Sequence, residues 1–131
     1  MNDAKAGAAY FAIIFSLGFL LGTLRVLFII PRIGELAATM LELPVILTAS
    51  WFVSGWLIKR LRVAPDTASR LWMGAAAFGL TMIAEPLLGL SFGQSLADQW
   101  TALSRPAGLV GLAGQALFGL VPWLRLATRR V

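Results

Sequence analysis

The chain has 131 residues, 59% of them hydrophobic and 13% charged, with a mean hydropathy of +0.83 and a formal net charge of +5. A soluble domain is about 45–50% apolar and about 25% charged, so composition alone predicts a single integral membrane domain over residues 1–131. With neither Cys nor His, disulfides, thiolate and imidazole metal sites, His-ligated haem and His-dependent catalysis are excluded.

Met1 to Lys5 is a short polar head, and Ala6 to Ile30 is an apolar run interrupted only by Arg25. About 20 helical residues cross the hydrocarbon, so this run is long enough to span it. It exceeds a signal-peptide core and no A-x-A pattern follows, which predicts a retained first helix. Gly18, Gly22 and Arg25 share one helical face, where small residues admit a neighbouring helix and turn Arg25 toward protein; the competing reading has Arg25 snorkel to headgroups. Pro31 to Gly34 is read as a tight turn, since proline ends one helical ladder and suits the first turn of the next.

The second helix is expected over about 35–58. Glu35, Thr39, Glu42, Ile46, Ala49 and Val53 fall on one side, and Leu36, Met40, Leu43 and Leu47 form an apolar stripe beside it. Pro44 removes a donor one turn after Met40 and loosens the helix next to Glu42. Lys59, Arg60, Arg62 and Arg70 then make the following loop the most basic segment, with Pro65 and Asp66 marking its turn and Thr67 or Ser69 available as a cap.

The third helix is expected over about 71–90, with Gly74, Phe78, Thr81, Glu85 and Gly89 near one face. Between residues 92 and 103, Phe92, Leu96, Trp100 and Leu103 recur opposite Gln94, Asp98, Gln99 and Thr101, and Ser95 with Asp98 fits a capping box. That pattern predicts a short amphipathic helix on the outer membrane face. The fourth helix is expected over about 106–124, lined on one side by Gly108, Gly111, Gln115 and Gly119. Arg125, Arg129 and Arg130 close the chain.

The predicted fold is therefore all-α: a four-helix antiparallel transmembrane bundle with an interfacial helix between its third and fourth members. The basic residues flank apolar segments and do not interleave with stacking aromatics, so they are read as setting topology, with both termini cytoplasmic in a bacterial inner membrane. No nucleic-acid partner is expected. The tryptophans Trp56, Trp72, Trp100 and Trp123 fall near predicted interfaces, and Trp51, which lies deeper, is assigned to packing.

Depth links the helices. Arg25, Glu42 and Glu85 each sit five to seven residues from a predicted outer helix end, roughly 8–11 Å below the boundary at 1.5 Å per residue. They form the candidate ligand or ion cluster, opening to the outer face, with Arg32, Glu35 and Arg105 at the rim and Thr39, Thr81 and Gln115 as secondary polar groups. An ionised group in hydrocarbon costs roughly 2.5–3.5 kcal/mol on insertion scales, so these side chains should face protein or water. One Arg satisfies one Glu, and the second carboxylate, desolvated near another, holds a proton or a cation near neutral pH.

The preferred function is an accessory, assembly or structural membrane subunit, either homo-oligomeric or bound to partner membrane proteins within the lipid bilayer. The alternative is a small proton- or cation-coupled transporter or ligand-binding protein, and the third reading is a lipid-modifying enzyme using the Glu pair. No cofactor and no metal is expected. Intramembrane aspartyl proteolysis lacks its Asp pair, and a retinal Schiff base lacks a buried Lys.

Overall fold

A computed structural model describes residues 2–129; Arg130, counted above among the terminal basic residues, lies outside them. The described residues are helical almost throughout and contain no strand. Helix α1 (Asn2–Leu24) runs into a π-helical turn (Arg25–Ile29), a short α2 (Ile30–Ile33), then α3 (Glu35–Leu61), α4 (Thr67–Ser91), α5 (Leu96–Leu103) and α6 (Pro106–Arg129). Four segments are long and apolar enough to cross a membrane: Asp3–Ile33, Glu35–Leu61, Thr67–Ser91 and Pro106–Thr128. Even the shortest, at 23 residues, reaches about 34 Å, more than the roughly 30 Å of a hydrocarbon core.

The boundaries depart from expectation in instructive ways. Pro31 does not open the predicted turn. The helix continues to Ile33, and Gly34 alone breaks the chain, at φ 88° and ψ 167°. Proline cannot donate to the carbonyl one turn earlier and its ring crowds that carbonyl. The π turn, in which the Ile30 N–H reaches back to the Arg25 carbonyl, widens the helix where Pro31 needs room. Helix α3 outlasts its expected end and stops in a left-handed Arg62, after which the Val63 N–H bonds the Ile58 carbonyl at 3.0 Å. This is a Schellman-type closure sealed by buried Val63 and Ile58. Asp66, instead of Thr67 or Ser69, caps α4 by accepting from the Ser69 N–H at 2.8 Å. The Ser95–Asp98 capping box forms as expected, though its helix begins at Leu96. Helix α6 continues five residues past its predicted end, to Arg129.

Helix α1 packs on α3 and α4, and α6 packs on α3 and α4. The core comprises Tyr10, Ile14, Leu57, Ile58, Val63, Met73, Ala77 and Phe118. It lies toward the end where α1 and α4 begin and α3 ends, and the π turn, α2 and α5 hold no buried residue. Backbones approach closely at Gly74, where a Cβ would overlap the Gly119 carbonyl, at Gly7, where one would meet the Met73 carbonyl, and at Gly108, where one would meet the Ala102 carbonyl. The expected close contact at Gly18 and Gly22 does not occur: Gly18 has only the tip of Ile46 at 3.9 Å, and Gly22 is covered by its own helix's Arg25. The outer surface is apolar, with Phe52, Trp56, Trp72, Ile83 and Trp100 exposed. A helical protein that is apolar inside and outside suits a membrane solvent. The chain is thus a small, all-helical, multi-pass membrane protein by length and composition of its helices.

Candidate functional site

The π turn begins at Arg25, seven residues after Gly18 on α1. Arg25 Nη1 donates to Glu42 Oε2, joining the π turn to α3. Side-chain exposure is 30% for Arg25 and 14% for Glu42, so the carboxylate is the more deeply held partner. The pairing decides between the two expectations for Arg25: it turns to protein. A guanidinium over a carboxylate gives a charge-assisted hydrogen bond, which is shorter and stronger than a neutral one.

Glu85 is reached differently. Its Oε1 accepts from Gln115 Nε2, tying α4 to α6. The residue stands on the exposed surface of α4. The expected cluster residues are held in two units, Arg25 with Glu42 and Gln115 with Glu85.

The remaining expected residues divide. Arg105 approaches Glu35 at 3.6 Å, with side chains 57% and 45% exposed, which makes a weak rim contact of the kind worth about 0–1 kcal/mol. Arg32 is exposed. Thr39 and Thr81 are buried, but their hydroxyls return to the Glu35 and Ala77 carbonyls of their own helices, at 3.0 and 2.9 Å. Such back-bonding satisfies the hydroxyl locally. Helix α5 leans on this end through Gln99 Nε2, which donates to the Pro86 carbonyl at 3.3 Å.

At the opposite end the fold assembles polar residues that pattern reading assigned only to topology or packing. Arg70, read as loop, is in the first turn of α4 and 1% exposed; its Nε donates to the Ala64 carbonyl (3.3 Å) and Nη1 to the Pro122 carbonyl (3.2 Å). Arg125 donates to the Trp51 carbonyl at 2.9 Å, and its guanidinium lies 4.8 Å from the Trp51 ring centroid. Trp51 is therefore a cation–π platform and not plain packing. Gly55, one turn beyond Trp51, leaves the space that guanidinium fills, since a Cβ there would overlap it.

Tyr10 shows how a proline creates a polar acceptor in an apolar core. Pro122 has no N–H, so the Phe118 carbonyl one turn earlier lacks its helical donor. The buried Tyr10 hydroxyl supplies it at 2.7 Å, and the Tyr10 and Phe118 rings stack with centroids 4.4 Å apart. The available signal was the conjunction of the chain's single Tyr with a proline inside the fourth apolar helix.

Comparison with family models, curated proteins and solved structures finds no match for this chain.

Proposed function

We propose that this chain is a non-catalytic accessory or assembly subunit of a bacterial inner membrane, built as an antiparallel four-helix bundle with both termini cytoplasmic. The Arg25–Glu42 pair is its structural latch, fixing the register of α1 against α3. Glu85 with Gln115 is the polar point at which another membrane chain, or a second copy of this one, is met. The antiparallel arrangement is supported by contacts that bring the chain just after α1 to Glu42 near the start of α3 and the start of α4, at Arg70, to Pro122 in the second half of α6, while α1 runs alongside α4, and α3 alongside α6, in the same direction. The orientation follows from the basic α3–α4 connection under the positive-inside rule. Helix α5, with Leu96 and Trp100 exposed, then lies in the outer interface.

One observation carries the assembly reading. Glu85 is six residues from the end of α4, about 9 Å along a span-length helix, and it is exposed. Ionisable side chains at such depth almost always face protein or water and are costly against lipid. Gln115 satisfies one lone pair and leaves the pair a polar spot on an apolar surface, which a neighbouring helix covers. The test is native mass analysis of the chain extracted directly in membrane discs. Wild type and Glu85→Gln, which retains hydrogen bonding, should carry the same partner or second copy, and Glu85→Leu should lose it. A monomer in all three would refute the proposal.

A second reading keeps one specific observation: Glu85 is bound by an amide and not by the guanidinium. As the acid that Arg25 does not neutralise directly, it could exchange a proton or cation in a coupled carrier. In that case Glu85→Gln abolishes pH-dependent uptake into liposomes while melting like wild type.

A further inference from the structure

The end of α3 carries a shallow, open recess of about 330 Å³ lined by Trp56, Lys59, Arg60 and Arg62. Trp56, Lys59 and Arg60 stand at i, i+3 and i+4, so they share one side of the helix. All four residues are exposed. No carboxylate lines the recess, and Asp66, the acid of the α3–α4 connection, accepts from the Ser69 N–H. Among the described residues no ion pair reaches Lys59, Arg60 or Arg62.

Arg62 adds an observation that basic charge alone does not explain. It closes α3 at φ 55° and ψ 50°, and it is the one non-glycine residue with a positive φ among the described residues. A β-carbon in this left-handed region crowds the following carbonyl oxygen, and glycine is the usual occupant of the position. Glycine would therefore close the helix better, and topology requires a basic residue only somewhere in the connection. The chain bears a steric cost to keep a guanidinium at this point, and backbone strain held at a surface points to a use there.

We infer that the recess formed by Trp56, Lys59, Arg60 and Arg62 holds the headgroup of an anionic phospholipid. Guanidinium forks match phosphate oxygens, and the Lys59 ammonium adds a point charge beside them. A zwitterionic headgroup brings its own ammonium against these cations, so a net negative one is preferred. Helix α3, at 27 residues and about 40 Å, exceeds the roughly 30 Å of hydrocarbon, so its last turn emerges among headgroups with Trp56 near the boundary, where tryptophan ordinarily sits. Phe52, one turn earlier on the same side, is 69% exposed and Trp56 57%, and together they continue the recess as an apolar track along which an acyl chain lies. That continuity selects a bilayer lipid over a soluble anion. The site needs only the headgroup level, so it stands whichever side of the membrane this end faces.

The test uses the 131-residue chain in discs of phosphatidylcholine with phosphatidylglycerol as the minor lipid, and native mass analysis counts the lipids kept by the released protein. Wild type should retain phosphatidylglycerol above its share of the disc, and retention at that share would overturn the inference. Arg62→Gly removes the guanidinium and eases the backbone. It should melt no lower than wild type while retaining about fivefold less phosphatidylglycerol, near the effect of one cation at a charged surface. Unchanged retention in it would count against the site whatever its melting temperature. Arg60→Gln, on regular helix, should lose a similar factor. Lys5→Gln removes an equal charge from α1, outside the recess, and should change retention by less than about twofold at physiological salt, where exposed charges are screened. Equal losses at Lys5 and Arg62 would overturn the site in favour of diffuse surface attraction. Titration of phosphatidylcholine discs with glycerol phosphate checks the occupant, and saturable binding there without phosphatidylglycerol retention would replace the lipid by a soluble anion.

Discussion

Removing the Arg25 guanidinium would leave Glu42, a carboxylate only 14% exposed, with no cation on the π turn. Breaking a fully buried pair costs roughly 3–5 kcal/mol, and the partial exposure of Arg25 puts Arg25→Ala at or just below the lower end of that range. Adding Glu42→Gln removes the stranded charge, so the double variant should recover part of the loss in a denaturation cycle. Absence of any rescue would mean that the pair contributes through packing and not charge. Tyr10→Phe makes a related point without charge. It keeps the stacked ring and deletes the donor to the Phe118 carbonyl, which Pro122 has already deprived of its helical partner. An unsatisfied buried acceptor costs about 1–3 kcal/mol, so a lowered melting temperature is expected; combining it with Pro122→Ala, which restores a backbone donor, should reduce that cost.

Between elements, the glycines are unequal because only some face another backbone. Gly74→Ala places a methyl on the Gly119 carbonyl and forces α4 and α6 apart. Overpacking of this kind costs typically about 1–3 kcal/mol. A Cβ at Gly111 meets nothing within 4 Å, and Gly111→Ala should leave stability unchanged or raise it by up to about 1 kcal/mol, the helix-propensity difference. Thermal melting of both variants in one detergent checks the contrast. Similar destabilisation by both would show that α6 uses its Gly111 face against another chain. The π turn belongs to this scale as well: Pro31→Ala restores an N–H for the Leu27 carbonyl and permits regular α-helical winding, which would rotate Arg25 relative to Glu42. Its expected effect is a destabilisation no longer additive with Glu42→Gln.

For the whole molecule the decisive measurement is topology. The proposed orientation puts the α3–α4 connection and the C-terminus on the same, cytoplasmic side. Reporter fusions after Arg62 and after the last residue should both read cytoplasmic, and a periplasmic reading from either would overturn the arrangement. The same geometry separates two polar regions by the length of the helices. Arg25, Glu42, Glu85 and Gln115 gather where the core is thin, while Arg70, Arg125 and Lys59 gather where Tyr10, Met73 and Phe118 pack tightly.

Sequence alone determined the helical class and the four spans, because hydropathy runs are local properties of the chain. It placed Arg25, Glu42 and Glu85 at one depth from counting alone, since rise per residue is nearly constant. Which acid takes the guanidinium could not be read from that count. The choice depends on helix rotation, and the π turn at Arg25–Ile29 rotates the chain by an amount that a regular 3.6-residue period does not anticipate. Gly18 and Gly22 were misjudged for the same reason: a small residue permits close approach, and only the neighbouring helix decides whether to make it. Arg70 and Arg125 were hidden by their own abundance, because a basic residue near a helix end carries the same topological signal whether it is solvated or buried. Tertiary structure alone turned them inward, where the carbonyls of Ala64 in the α3–α4 connection, Pro122 within α6 and Trp51 within α3 accept from their guanidiniums. A carbonyl's partner across the bundle is a matter of packing angle and distance, which no one-dimensional pattern encodes.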